Sequence, residues 1–241
     1  MKWETHKAIT RTVCHKLGIK SAAEKIANAS ILPDKYPDFI YSKKKRVKVT
    51  HHDRKALELA FEYLKKARKA YMRKDEKYIE YLGRALHYIQ DYCVDVRKKF
   101  LIFKFKSENI HRKRENNLTS INVPKDAIIA GLNEVCTPSN IKTIIFNSKP
   151  KEDPREIMFI ATYLTTIAVK SIFRPDKPPN LKRNYVKALT IHILLVLSPF
   201  LLFLIEPSPS ILALAIILSY LFHKLDFNYH RWKLDYEWFN C

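Results

Sequence analysis

The sequence predicts an all-α fold, a multi-helix bundle followed by a carboxy-terminal transmembrane helical hairpin. Three observations predict it. Apolar residues recur at helical spacing, as in Leu57, Phe61, Leu64, Ala67 and Tyr71. Three glycines in 241 residues leave little material for turns. From Ala188 to Phe222 the sole charged residue is Glu206, although the whole chain carries a formal charge of +20. A basic first part and an uncharged later part therefore share one chain.

Taken in order, the first helix starts at Thr5 as N-cap, buries Ile9, Val13 and Leu17, and stops at Gly18. Ser21-Ala22-Ala23-Glu24 reads as a capping box opening a second helix that ends near Ser30. Residues 31–38 then form a proline-punctuated loop carrying Asp34 and Asp38. Asp53 caps a long amphipathic helix, and Asp75 opens the helix that carries His87 and Asp91. A further helix begins after Ser107. Pro124 is an N1 residue, and Asp153-Pro154 opens an apolar helix running to Phe173.

The chain accordingly divides into a helical domain over 1–174, a linker over 175–187, a hairpin over 188–223 and a basic, aromatic interfacial tail over 224–241. Residues 188–205 are an apolar run long enough for a membrane helix, whereas 211–222 is short and completes a hairpin only with its flanks. Lys182, Arg183 and Lys187 precede this hairpin, and Lys224, Arg231 and Lys233 follow it. The excess of basic flanks places both ends in the cytoplasm. The polar opening Met1-Lys2-Trp3-Glu4 carries no apolar signal segment, in line with a cytoplasmic amino-terminal domain. Cys14, Cys93, Cys136 and Cys241 form no C-x-x-C pair, so neither a zinc ribbon nor a disulfide scaffold is indicated. His192, inside the first apolar run, reads as a hydrogen-bonded packing residue.

Two His–carboxylate pairs stand out, His87 with Asp91 and His111 with Glu115. Residues four apart share a helix face, so each pair can hold one divalent ion without loop closure. His6, the loop aspartates Asp34 and Asp38, and the doublet His51-His52 supply further candidate ligands. Gly83, one turn before His87, leaves room for a close approach.

In this order, Trp3, His6, Asp34 or Asp38, His51 or His52, Leu-Gly-x-Ala-Leu-His-Tyr-x-x-Asp over 82–91, and His111-x-x-x-Glu115 resemble the zinc-dependent phospholipase C family, over residues 1 to about 118. That family shares its all-helical fold with fungal single-strand nucleases. The resemblance implies a zinc-dependent phosphodiesterase. One zinc ion would be held by a loop aspartate, one histidine of the doublet, His87 and Asp91. Asp91 would bridge to a second ion held by His6, and His111 with Glu115 would serve a third. Asp34 or Asp38 would also take the proton of the attacking water.

Two positions depart from the family. Its members use the free amino group of an N-terminal tryptophan, whereas Trp3 follows Met1 and Lys2. Where the family has Pro-x-His, this chain has Asp95-Val96-Arg97. A guanidinium has no lone pair for a metal, so at most two tight ions are expected, with Arg97 either a substrate clamp or a mark of lost activity. The implied partners are membrane lipids and a phosphodiester, either a lipid headgroup or a nucleotide. Two other functions fit the composition: a non-catalytic membrane scaffold that retains metal, and a nucleic-acid-binding protein suggested by the charge and by Phe103-Lys104-Phe105-Lys106.

Overall fold

The computed structural model describes residues 1–42, 45–95, 97–100 and 103–240, without the side chains of residues 41, 42, 97–100, 103–106 and 111. The chain divides into two compact units. The first comprises Met1–Cys136 and Asn140–Asp176, and the second Thr137–Ser139 and Lys177–Cys241.

The first unit is helical, with α1 (Trp3–Lys16), α2 (Lys20–Ala29), α3 (Leu32–Lys35), α4 (Arg54–Met72), α5 (Lys77–Tyr92), α6 (Glu108–Leu118), α7 (Lys125–Asn133), residues 140–147 of α8 (Pro138–Asn147), and α9 (Pro154–Phe173). Both α4 and α9 start where a side chain satisfies free backbone donors. Asp53 accepts from the Ala56 amide, and Asp153 accepts from the Arg155 and Glu156 amides. The core is the apolar stripe of each helix: Ile9 and Val13 of α1, Leu57 and Leu64 of α4, Leu82, Leu86 and Ile89 of α5, all buried. By length and composition α9 would also cross a membrane, but two thirds of it is buried, against α1, α4, α5, α6 and α7. It is the central core helix of this unit.

Several local expectations differ from the structure. Two antiparallel hairpins interrupt the helices, β1 (Phe39–Ser42) with β2 (Lys45–Lys48), and β3 (Arg97–Phe100) with β4 (Phe103–Lys106). Of the four strands only β4, Phe-Lys-Phe-Lys, alternates with the period of a strand, so the helical reading passed over them. Ser21 caps nothing, because α2 starts a residue earlier at Lys20 and Glu24 instead binds Arg11. The loop over 31–38 contains one helical turn, α3, begun by Pro33 in its first turn.

The second unit contains α10 (Leu181–Leu197), a short 3-10 turn (Ser198–Phe200), α11 (Leu201–Ile205), α12 (Pro209–Leu225) and α13 (Phe227–Phe239). Residues 181–187 belong to α10 and not to a linker, since Lys182, Arg183 and Lys187 are good helix formers with exposed side chains to solvate. The tail is likewise helical, as α13. Leu181–Ile205 is long and apolar enough to cross a membrane, and α12 with α13 forms a pair bent by 55°. Leu204 and Ile205 are 78% and 82% exposed, as side chains facing lipid would be.

Gly83 explains how α2 meets α5. A Cβ there would lie 2.4 Å from the Ala29 Cβ and 2.5 Å from its carbonyl carbon, so the end of α2 rests directly on the α5 backbone. Gly83→Ala is expected to destabilise the first unit by about 1–3 kcal/mol through overpacking. Thermal melting of the full chain measures it, and an unchanged midpoint would contradict the contact.

Candidate metal centre

Four polar atoms gather around the middle of the first unit. His87 and Asp91 project from α5, His51 follows the second β-strand, and Asp34 sits on α3. The Asp91 Oδ2 lies 2.9 Å from the His51 Nδ1 and 3.2 Å from the His87 Nε2. Those two nitrogens are 3.0 Å apart, and the Asp34 Oδ1 is 3.7 and 3.5 Å from them. A tetrahedral zinc with bonds of 2.0–2.1 Å needs ligand atoms roughly 3.3 Å apart. These five separations are therefore close to those of one coordination shell.

The protons are placed to suit a cation. The His87 Nδ1 donates to the Ser30 carbonyl at 2.9 Å, which leaves the Nε2 lone pair facing the group. Gly83 makes this possible, because the close approach of α2 carries Ser30 to His87. Trp3 donates its indole N–H to the Asp34 Oδ2 at 2.8 Å, so the other oxygen turns towards the histidines. Tyr88 stands edge-on to both His51 and His87.

The other oxygen of Asp91 faces a second set of donors. The His6 Nε2 lies 3.1 Å from the Asp91 Oδ1, and the Met1 amino group contacts both that oxygen and the Glu115 Oε1, the latter at 2.7 Å. His6 is fully buried, and its Nδ1 donates to the Gln90 Oε1 at 2.6 Å. The Gln90 amide group is fixed in turn by donating to Thr10 and Thr165. The remaining ring nitrogen, His6 Nε2, is buried with no hydrogen-bond partner. A buried lone pair without a donor is costly in an apo protein and suits a cation. His6, His87 and Asp91 form one buried group able to hold an ion, and Asp34, His51 and His87 form another.

Electrostatics keep these groups ready as ligands. Burial drives the His87 pKa well below its ordinary value, against the opposing effect of Asp91, so the imidazole is neutral. Burial would raise the Asp91 pKa, but the Met1 amine, His87 and His6 hold the carboxyl well below its usual range. Burial also works against the charged Met1 amine, yet Asp91 and Glu115 overcome it and raise its pKa above 8.0.

The structure separates some candidates that the sequence left paired. Asp34 belongs to the cluster and Asp38 does not. Asp38 accepts from Tyr63 at 2.6 Å, from Tyr88 at 2.8 Å and from Arg84 at 3.1 Å, a network that ties the chain before β1 to α4 and α5. His51 likewise enters the cluster, whereas His52 turns away and donates from Nδ1 to the Asp91 carbonyl at 2.8 Å. Glu115 joins the His6 side, at the Met1 amine. The side chains of His111 and Arg97 lie outside the described residues. Trp3 contributes its indole, and the amino group present at the site belongs to Met1.

Sequence reasoning missed Gln90, Ser30 and the Met1 amine. Gln90 carried a signal, being the chain's sole glutamine and adjacent to Asp91. No protein-family model matches the chain, and the searches of curated proteins and of solved structures likewise returned no match.

For protein stripped of metal, the two shifted bases, His87 and the Met1 amine, set opposite limits on stability. His87 binds its proton less readily when folded, so the stability present above its ordinary pKa of 6.5 is lost as the pH falls. The Met1 amine binds its proton more tightly when folded, so its contribution is present below pH 8.0 and lost as the pH rises. Melting temperatures in chelator should therefore form a plateau between these values and decline on both sides. A flat profile from pH 5 to 10 would contradict the assigned charges.

Proposed function

We propose that this chain is a membrane-anchored, zinc-dependent hydrolase of phosphodiesters. The observation that carries the reading is the carboxylate of Asp91, whose two oxygens face two separate donor sets. Its Oδ2 faces His51 and His87, with Asp34 beside them, and its Oδ1 faces His6 and the charged Met1 amine, which Glu115 also pairs. Such a carboxylate suits a pair of cations. When bound, paired zinc ions neutralise phosphate charge and acidify the attacking water. The fit rests on the unpartnered His6 Nε2 and on the near-tetrahedral spacing of the other group.

The protein's own residues do the rest. Ser30, Gln90 and Trp3 hold the ligand side chains in their tautomers and rotamers, so little reorganisation remains when substrate arrives. Asp34, 30% exposed at its side chain, is the group on the solvent side and the candidate to receive a proton from water. Arg97 replaces the histidine of the phospholipase C pattern and can clamp a phosphate oxygen bidentately. The apolar helices of the second unit tether the enzyme to lipid, and the net charge of +20 attracts an anionic surface. The basic flanks of the hairpin support a cytoplasmic side for the first unit and α13.

His87→Ala and Asp91→Ala should each reduce zinc-dependent hydrolysis of a nitrophenyl phosphodiester to background, while His15→Ala, at an exposed position on α1, retains activity within about twofold. Equal activity in all three would overturn the enzyme reading, and retained zinc without hydrolysis would favour the scaffold alternative. Zinc counting on Arg97→His tests the clamp: a gained ion supports its place beside the cluster, and an unchanged count removes it. For sidedness, a cysteine probe at Ser208 should label from outside intact cells and one at Lys45 should not; the reverse pattern would invert the topology.

A further inference from the structure

A second group of histidines lies in the second unit. His192 of α10, His223 near the end of α12, and His230 of α13 have ring centroids 5.1, 5.1 and 6.3 Å apart. Asp226 stands at the bend between α12 and α13 and serves both sides of it. Its Oδ1 accepts from the Tyr229 amide at 3.0 Å and caps α13, while its Oδ2 accepts from the His192 Nδ1 at 2.9 Å. That bond places the His192 proton on Nδ1 and leaves the Nε2 lone pair directed at the His223 Nδ1, 3.0 Å away. His230 is fixed in a similar way: its Nε2 donates to the His223 carbonyl at 2.7 Å, which leaves a lone pair on Nδ1. His192 is only 7% exposed and is covered by Tyr229, stacked on it at 3.9 Å.

We propose that His192, His223 and His230 form a separate site for a divalent transition-metal cation, of the zinc and cobalt class, at one end of the apolar hairpin. Two of the three imidazoles have one nitrogen committed to an oxygen acceptor and a lone pair on the other. This is the usual arrangement of metal-bound histidine with its outer hydrogen-bond partner. The facing nitrogens of His192 and His223 have nearly the separation of two ligands on one zinc, roughly 3.3 Å. An all-imidazole donor set favours zinc, cobalt, nickel or copper over magnesium or calcium. His192 and His223 each lie 14 residues from Glu206 and Pro209, at the two sides of the turn, so about 21 Å of helix separates the site from that turn. The ion would therefore link α10 to the corner of α12 and α13, at the end of the hairpin bearing the basic flanks.

The test uses the full chain in detergent, freed of metal and titrated with cobalt, whose visible spectrum reports tetrahedral nitrogen ligation. In a His6→Ala, His87→Ala, Asp91→Ala background, one cobalt per chain should still bind. It should be lost on further substitution of His192→Gln and His223→Gln, and Asp226→Asn should weaken it about 10–100-fold. In the otherwise unaltered chain, His192→Gln should lower the count by one ion, which covers the case where the multiple variant fails to fold. Failure of the phosphodiesterase reading leaves these results unchanged, since they do not involve hydrolysis. No cobalt bound in the background variant, together with an unchanged count in the His192→Gln chain, would show the group to be a hydrogen-bond chain only and overturn the proposal.

Discussion

The carboxylate of Asp91 is buried, ionised and shared by groups from four parts of the chain: the amino terminus, α1, the His51 turn and α5 itself. An ionised carboxylate away from water is stable only where charge or hydrogen bonds surround it on every side. The packing of the first unit follows from meeting that requirement. α1 must lie where His6 and Met1 reach one oxygen, and the segment before α4 must bring His51 to the other. α2 must press on Gly83 so that Ser30 fixes His87. The His6 Nε2, buried beside Asp91 with no hydrogen-bond partner, is where a cation could complete the arrangement.

The positioning shell reaches further into the core than the ligands do. Gln90 connects His6 to Thr10 of α1 and Thr165 of α9, so the central helix of the unit holds a ligand in place through a single amide. Asp38 anchors Tyr88, whose ring stands against both His51 and His87. Residues outside the His/Asp group thus hold its side chains within narrow limits, which a site built from several helices needs.

The helices and the His87–Asp91 pair were legible because periodicity and i, i+4 spacing are local properties of the sequence. The choices within Asp34/Asp38 and His51/His52 were not, because they depend on which side chain a long-range packing contact turns inwards. Asp38 is claimed by two tyrosines and an arginine, none of which its own segment announces. The hairpins were missed for a different reason. Short strands rich in lysine have little apolar pattern to read, and the turn from Asp38 to Thr50 resembles a solvated loop. In the second unit the apolar runs were plain, and His192, read as a hydrogen-bonded packing residue, is hydrogen-bonded to a carboxylate and a second imidazole that its own run did not announce.

The claim on which the rest depends is that Asp91 bridges two cations. Anomalous scattering at the zinc edge, from crystals of the zinc-loaded full chain, measures this directly. Two peaks are expected within bonding distance of Asp91, about 3.5–4 Å from each other, one beside His51 and His87 and one beside His6. A single peak, or none within reach of the Asp91 carboxylate, would contradict the account.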